Sequence, residues 1–63
     1  MKIEMLVIRV YNNNTMDVEI NATKTIFTKK SEENSWLLFA KKTGLKEVFF
    51  KREKNGDRVY FYN

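Results

Sequence analysis

The chain has no cysteine, no histidine and no proline, and only 2 glycines among its 63 residues. Without cysteine there is no disulfide framework, no thiolate metal site and no thiol nucleophile. Without histidine the commonest general base and the commonest metal ligand are missing. A Ser–His–Asp or Cys–His enzyme and a zinc finger are therefore excluded. Carboxylates do not fill the gap. Asp17/Glu19 and Glu32/Glu33 are the closest acidic pairs, and neither has the spacing of a calcium loop. Gly-rich phosphate-binding motifs are also missing. The expectation is a protein with no cofactor and no metal.

No apolar run approaches the ~20 residues of a membrane span. Met1–Val10 is interrupted by Glu4 and Arg9, so it does not read as a signal peptide. The expected location is the cytoplasm, with no membrane contact. On that reading the sequons Asn13-Asn14-Thr15 and Asn21-Ala22-Thr23 are chance products of an Asn- and Thr-rich chain.

The hydrophobic content of 43% is that of a globular chain, and 63 residues allow one domain, residues 1–63. At this size one core rarely supplies more than ~3–5 kcal/mol, and no disulfide or metal adds to it. An aromatic-rich core or self-association must make up the difference. The aromatic content of 14% suits the first and leaves room for the second.

The net charge is +4, from 12 basic and 8 acidic side chains. It belongs to residues 23–63, which carry 10 − 5 = +5, while residues 1–22 carry 2 − 3 = −1. Nine of the cations are Lys and three are Arg, Asn occurs seven times and Ala twice. A low-GC genome, such as that of a Gram-positive bacterium or of its phages and plasmids, produces this bias through codon composition. Basicity is thus a weak pointer to nucleic acid.

Lys2–Tyr11 reads as a strand rich in Ile, Val and Leu, apolar at both parities. Thr15–Asn21 alternates Met16, Val18 and Ile20 with Asp17, Glu19 and Asn21. If Tyr11 faced Met16, that apolar trio would lie beside Val7 and Arg9. A loop of Asn12–Asn14 instead puts Val10 opposite Met16 and collects Leu6, Ile8, Val10, Met16, Val18 and Ile20 on one face. It also sets Arg9 against Asp17, and it needs a left-handed residue that Asn14 tolerates. This register is the expected one. Thr23–Lys29 is a third strand or a continuation of the second past a bulge.

One helix follows. Ser31 is its expected N-cap, Glu32 and Glu33 fill the first turn, and Lys41 and Lys42 fill the last. Gly44 suits the left-handed position after the helix, with Leu45 packing back as in a Schellman motif. Trp36, Leu37, Phe39, Ala40 and Thr43 share one helical face, and Leu38 lies opposite. In the last segment Asn55-Gly56 signals a type I′ hairpin turn. That turn would pair Glu53 with Arg58, Lys51 with Tyr60 and Phe49 with Tyr62 on one face, and Arg52 with Val59 and Phe50 with Phe61 on the other.

The fold class expected is α+β: a single small antiparallel sheet of four to five strands, β-β-(β)-α-β-β, with one helix packed on one face. A single helix covers one face of a sheet. Val48, Phe50, Val59 and Phe61 are expected beneath the helix; the alternative exchanges the two faces of the terminal hairpin and puts Phe49 inside. The open face would hold Met5, Val7, Tyr11, Phe49, Lys51, Arg58, Tyr60 and Tyr62. Six large apolar or aromatic groups on an open face make a contact surface, and tyrosine supplies area with a polar tip. With exposed Leu38, these residues form the expected partner-binding surface. The partner is another protein or a second copy. The expected function is therefore non-enzymatic: a small regulatory, accessory or inhibitory protein, of phage, plasmid or other mobile-element origin, acting by protein–protein contact.

Nucleic acid is the alternative. Phe49, Tyr60 and Tyr62 would stack bases, and Lys51, Arg58, Lys41, Lys42, Lys46, Lys29 and Lys30 would meet phosphates. Glu47 and Glu53 on the same face oppose this. A His-free ribonuclease using Glu47 or Glu53 with Arg58 and Tyr60 is the remaining reading. A flat open hairpin offers little of the burial that shifts a catalytic carboxylate.

Overall fold

The structure is a computed structural model that describes residues 1–63. Strands β1 (Leu6–Val10), β2 (Thr15–Ile20) and β3 (Lys24–Lys29) precede a 3₁₀ turn over Lys30–Glu32 and helix α1 (Glu33–Lys42). Strands β4 (Glu47–Arg52) and β5 (Arg58–Tyr62) follow. All five strands form one antiparallel sheet in the order β3-β2-β1-β5-β4. The fold is α+β with one helix, as the pattern of strands and helix implies.

The first hairpin has the expected register. Val10 faces Met16, Ile8 faces Val18, Leu6 faces Ile20 and Arg9 faces Asp17. Asn14 closes the loop at φ 69° and Tyr11 N–H donates to Thr15 O at 2.9 Å. The six apolar side chains of this face are buried and pack with Ala40 of α1 and with Tyr62. Ile3, Ile26, Trp36, Leu37, Leu45 and Tyr60 border this core.

Residues 24–29 form a separate strand. Asn21 and Ala22 both lie at positive φ, 52° and 60°, and Thr23 N–H closes the tight turn onto Ile20 O. Two left-handed residues in succession match a type I′ turn. Asn21 also ties down the N-terminus. Its Oδ1 accepts from Glu4 N and Met5 N, and its Nδ2 donates to Lys2 O.

Ser31 does not cap the helix. It lies inside the 3₁₀ turn, and Glu32 precedes α1 without a side-chain cap bond. The helix end is as expected. Gly44 sits at φ 82°, its N–H bonds Lys41 O, and Leu45 N–H bonds Ala40 O. This is the Schellman pair.

The terminal hairpin corrects the sequence reading. Gly56 is left-handed at φ 98° and Asn55 is not, so the turn is not type I′. Gly56 N–H bonds Glu53 O, and Glu53 N–H bonds Asp57 O. A type I turn followed by left-handed Gly56 makes a three-residue loop. Asn55 Oδ1 stabilises it by accepting from Asp57 N. The added loop residue moves the pairing by one: Phe50 faces Tyr60, Arg52 faces Arg58, Phe49 faces Phe61 and Lys51 faces Val59. A one-residue slip exchanges which side chains share a face. A bulge between Glu47 and Phe49 then leaves Glu47 opposite Tyr62.

Candidate functional site

Because β5 sits against β1, its faces follow from that pairing. Leu6 faces Tyr62, Ile8 faces Tyr60 and Val10 faces Arg58. Arg58, Tyr60 and Tyr62 therefore lie on the helix side, not on the open face. Val59 and Phe61 lie on the open face and not beneath the helix. Phe50 is on the helix side, but α1 does not reach over it, and it stays 41% exposed; bulge residue Val48 is 61% exposed. Neither fills the core expected of it.

A polar cluster explains the orientation of β5. Arg58 grips the Glu33 carboxylate with two bonds, Nε to Oε2 at 3.0 Å and Nη2 to Oε1 at 2.7 Å. Tyr60 O–H donates to the same Oε2 at 2.7 Å. The cluster joins the first turn of α1 to the sheet. Arg58 holds the Glu33 carboxyl below its ordinary pKa. Burial raises both Tyr60 and Tyr62 above the usual phenol value, with the Glu33 and Glu47 carboxylates adding to it. With these groups committed to one another, Arg58 and Tyr60 are not free to hold phosphate or stack on a base. Glu47 and Glu53 do not meet them. Glu33 was legible only as a first-turn acid, since nothing local links it to Arg58.

Of the residues expected on the open face, Met5, Val7, Tyr11, Phe49 and Lys51 are there. One cross-strand row runs Glu19–Val7–Phe61–Phe49, and the next runs Asp17–Arg9–Val59–Lys51. The face divides along β1. On the β2 side it is polar: Arg9 Nη1 lies 3.5 Å from Asp17 and 3.3 Å from Glu19. Tyr11 O–H donates to buried Asp17, which raises the tyrosine's pKa. On the β5–β4 side it is apolar, formed by Val7, Phe61, Val59 and Phe49, with Lys51 paired to Glu53 at 3.0 Å.

Strand β4 stands out because all six of its residues are exposed. It pairs only with β5, so its other edge is open. Phe49 is 50% exposed on the open side, and on the helix side Phe50 stacks on Tyr60 with centroids 4.9 Å apart. The Arg52 guanidinium lies over the Phe50 ring, 5.9 Å from its centroid. Leu38 on α1 is also exposed, as is Phe27 on β3, which faces Asp17 at the far end of the open-face row.

The five lysines expected near the helix ends separate into two groups. Lys29 and Lys30 line a shallow depression of about 520 Å³ with Asn14, Ser31, Glu33 and Asn34, with no hydrophobic residue among them. Lys41 and Lys42 belong to the last turn of α1, and Lys46 follows it. A helix of 10 residues separates the groups, about 15 Å of axis. No helix is long and apolar enough to cross a membrane. Comparison with known proteins finds no matching family model, no matching curated protein and no matching solved structure.

Proposed function

We propose that this is a non-enzymatic binding protein that makes protein–protein contact through its terminal hairpin. The observation that carries the reading is β4: an edge strand exposed at every position, with Val48, Phe49 and Phe50 in its centre. Open edges offer unpaired N–H and C=O groups, and proteins usually blunt them with charge, proline or covering chain. Here Lys51, Arg52 and the bulge guard the ends, and the aromatic middle is bare. An added strand would gain main-chain bonds from the edge and side-chain contacts from Phe49 and Phe50. The apolar row Val7–Phe61–Phe49 continues the surface inward. A regulatory, accessory or inhibitory role in the cytoplasm of a low-GC bacterium or its phage suits a chain of this size.

The test compares capture of cellular proteins by the wild type with capture by Phe49→Ser and Phe50→Ser, across a salt series, with circular dichroism confirming the fold. Capture should fall with either substitution and change little with salt. Tight oligonucleotide binding that weakens steeply with salt, needs Lys29, Lys30 or Lys51, and ignores Phe49 and Phe50 would replace it with a nucleic-acid role.

A further inference from the structure

We infer that the β4 edge docks on the same edge of a second copy, antiparallel, across a two-fold axis at Phe50. This rests on reading β4 as a contact edge and names its partner. Glu53 N–H bonds Asp57 O, so in the alternation of an antiparallel ladder Lys51 and Phe49 bond β5. Phe50 and Arg52 then turn their N–H and C=O groups outward. Two identical antiparallel edges that continue one sheet are related by an axis perpendicular to it, so facing residues come from the same side. The bulge confines regular edge to the stretch from Phe49 onward.

Two registers centre on that stretch. Centring on Lys51 sets two ammonium groups face to face, which opposes pairing. Centring on Phe50 lets its outward N–H and C=O exchange both bonds with its copy. Lys51 then faces Phe49 of the other chain on the open side, and the apolar row Val7–Phe61–Phe49 continues across the axis.

The charge pattern of the strand selects a second copy. β4 runs from Glu47 to Lys51 and Arg52, so antiparallel self-pairing lays its acidic end beside the basic end. The bulge places Glu47 on the helix side, where Arg52 also lies, and this register brings the two chains' Arg52 and Glu47 towards each other. The opposite edge of the sheet, β3, has Lys24 and Lys29 at its ends and no acid, so self-pairing there sets cation beside cation. Pairing β4 to β4 also closes, whereas β4 on β3 would polymerise.

The experiment measures mass by sedimentation equilibrium over a micromolar-to-millimolar series. It adds Phe50→Lys, and Phe50→Cys and Thr28→Cys as single thiols in a chain that has no cysteine. The expected result is a mass rising from 7.6 kDa towards its double, weakened at least ~10-fold by Phe50→Lys. Oxidised Phe50→Cys should form a covalent dimer and Thr28→Cys, on the far edge, should not. If Phe50→Lys does not fold, amide exchange of the wild type decides: Phe50 N–H should gain protection with concentration. A strict monomer, a polymer, a dimer indifferent to Phe50→Lys, or fast Phe50 exchange at high concentration overturns the pairing. A monomer whose capture of other proteins still depends on Phe49 and Phe50 overturns self-pairing alone; loss of that dependence overturns the contact edge as well.

Discussion

Breaking the Glu33–Arg58 pair should cost this protein a large part of its stability. The substitution Arg58→Met keeps most of the apolar stem and removes the guanidinium, leaving Glu33 with Tyr60 as its one hydrogen-bond donor. The two side chains are 14% and 15% exposed, so the ~0–1 kcal/mol of a surface ion pair is too low. Neither is fully enclosed, so the ~3–5 kcal/mol of a buried broken pair is too high. Two charge-assisted bonds at 2.7 and 3.0 Å, partly desolvated, give about 1.5–3 kcal/mol. Against the ~3–5 kcal/mol a single small core supplies, that is roughly half. At ~4–8 °C per kcal/mol for a domain of this size, Tm should fall by roughly 6–24 °C. Urea unfolding of the wild type, Glu33→Gln, Arg58→Met and the double variant closes a cycle whose coupling should be about 1–2 kcal/mol. The pH dependence has a definite sign. The Glu33 carboxyl is held below its ordinary 4.5, so its contribution is complete above that pH and drains away as pH falls through the lower folded value. The gap between wild type and Arg58→Met should therefore narrow in acid. Single losses that add to within ~0.3–0.5 kcal/mol, or a gap indifferent to acid, would show that Glu33 and Arg58 do not stabilise the fold as a pair.

All 3 tyrosines have pKa values raised above 10.0, so phenolate absorbance should show no ordinary titration while the fold persists. For an acid whose folded pKa is raised, stability is complete below the ordinary value and is lost as pH rises through the folded one; unfolding should thus accompany the titration. Ala22→Gly should stabilise by about 1 kcal/mol, seen as a higher urea midpoint at unchanged slope, because alanine at φ 60° carries strain that glycine does not. Asn21→Ala should cost about 2 kcal/mol, since three bonds to the N-terminal backbone and a tolerated φ of 52° are lost together; amide exchange of Glu4 and Met5 should accelerate. Gly44→Ala should cost about 1 kcal/mol from strain alone, as an added Cβ there meets nothing within 4 Å. A loss much larger than that in urea unfolding would mean that more than backbone strain is at stake.

The first hairpin was legible because two independent constraints agree on it. Only the Asn12–Asn14 loop both gathers the apolar residues of β1 and β2 and supplies a residue that tolerates positive φ. The helix end was legible for a similar reason: Gly44 and Leu45 satisfy backbone groups within a few residues. Ser31 misled because its short-range capping preference competed with a 3₁₀ turn entered directly from β3. The terminal hairpin misled because Asn-Gly serves two loops. The type I′ turn and the three-residue loop both want Gly56 left-handed; they differ in Asn55, left-handed only in the first, and in Lys54, which ends the strand in the first and joins the turn in the second. That difference is small locally and moves every pair of β4 and β5 by one residue.

The composition and local patterning determined the class of fold, the absence of thiol and imidazole chemistry, the core of β1 and β2, and the helix terminus. These depend on side-chain type or on contacts within a short span of chain. The tertiary structure alone decided which aromatics are inside. β5 lies beside β1, 45 or more residues away in sequence for the Asn12–Asp57 bond at the end of that ladder, and no local preference encodes the pairing. Burial of Tyr62, the hold of Glu33 on Arg58 and Tyr60, and the slip in the terminal hairpin act together. They turn Tyr60 and Tyr62 to the helix side and leave Val48, Phe49 and Phe50 on the open edge.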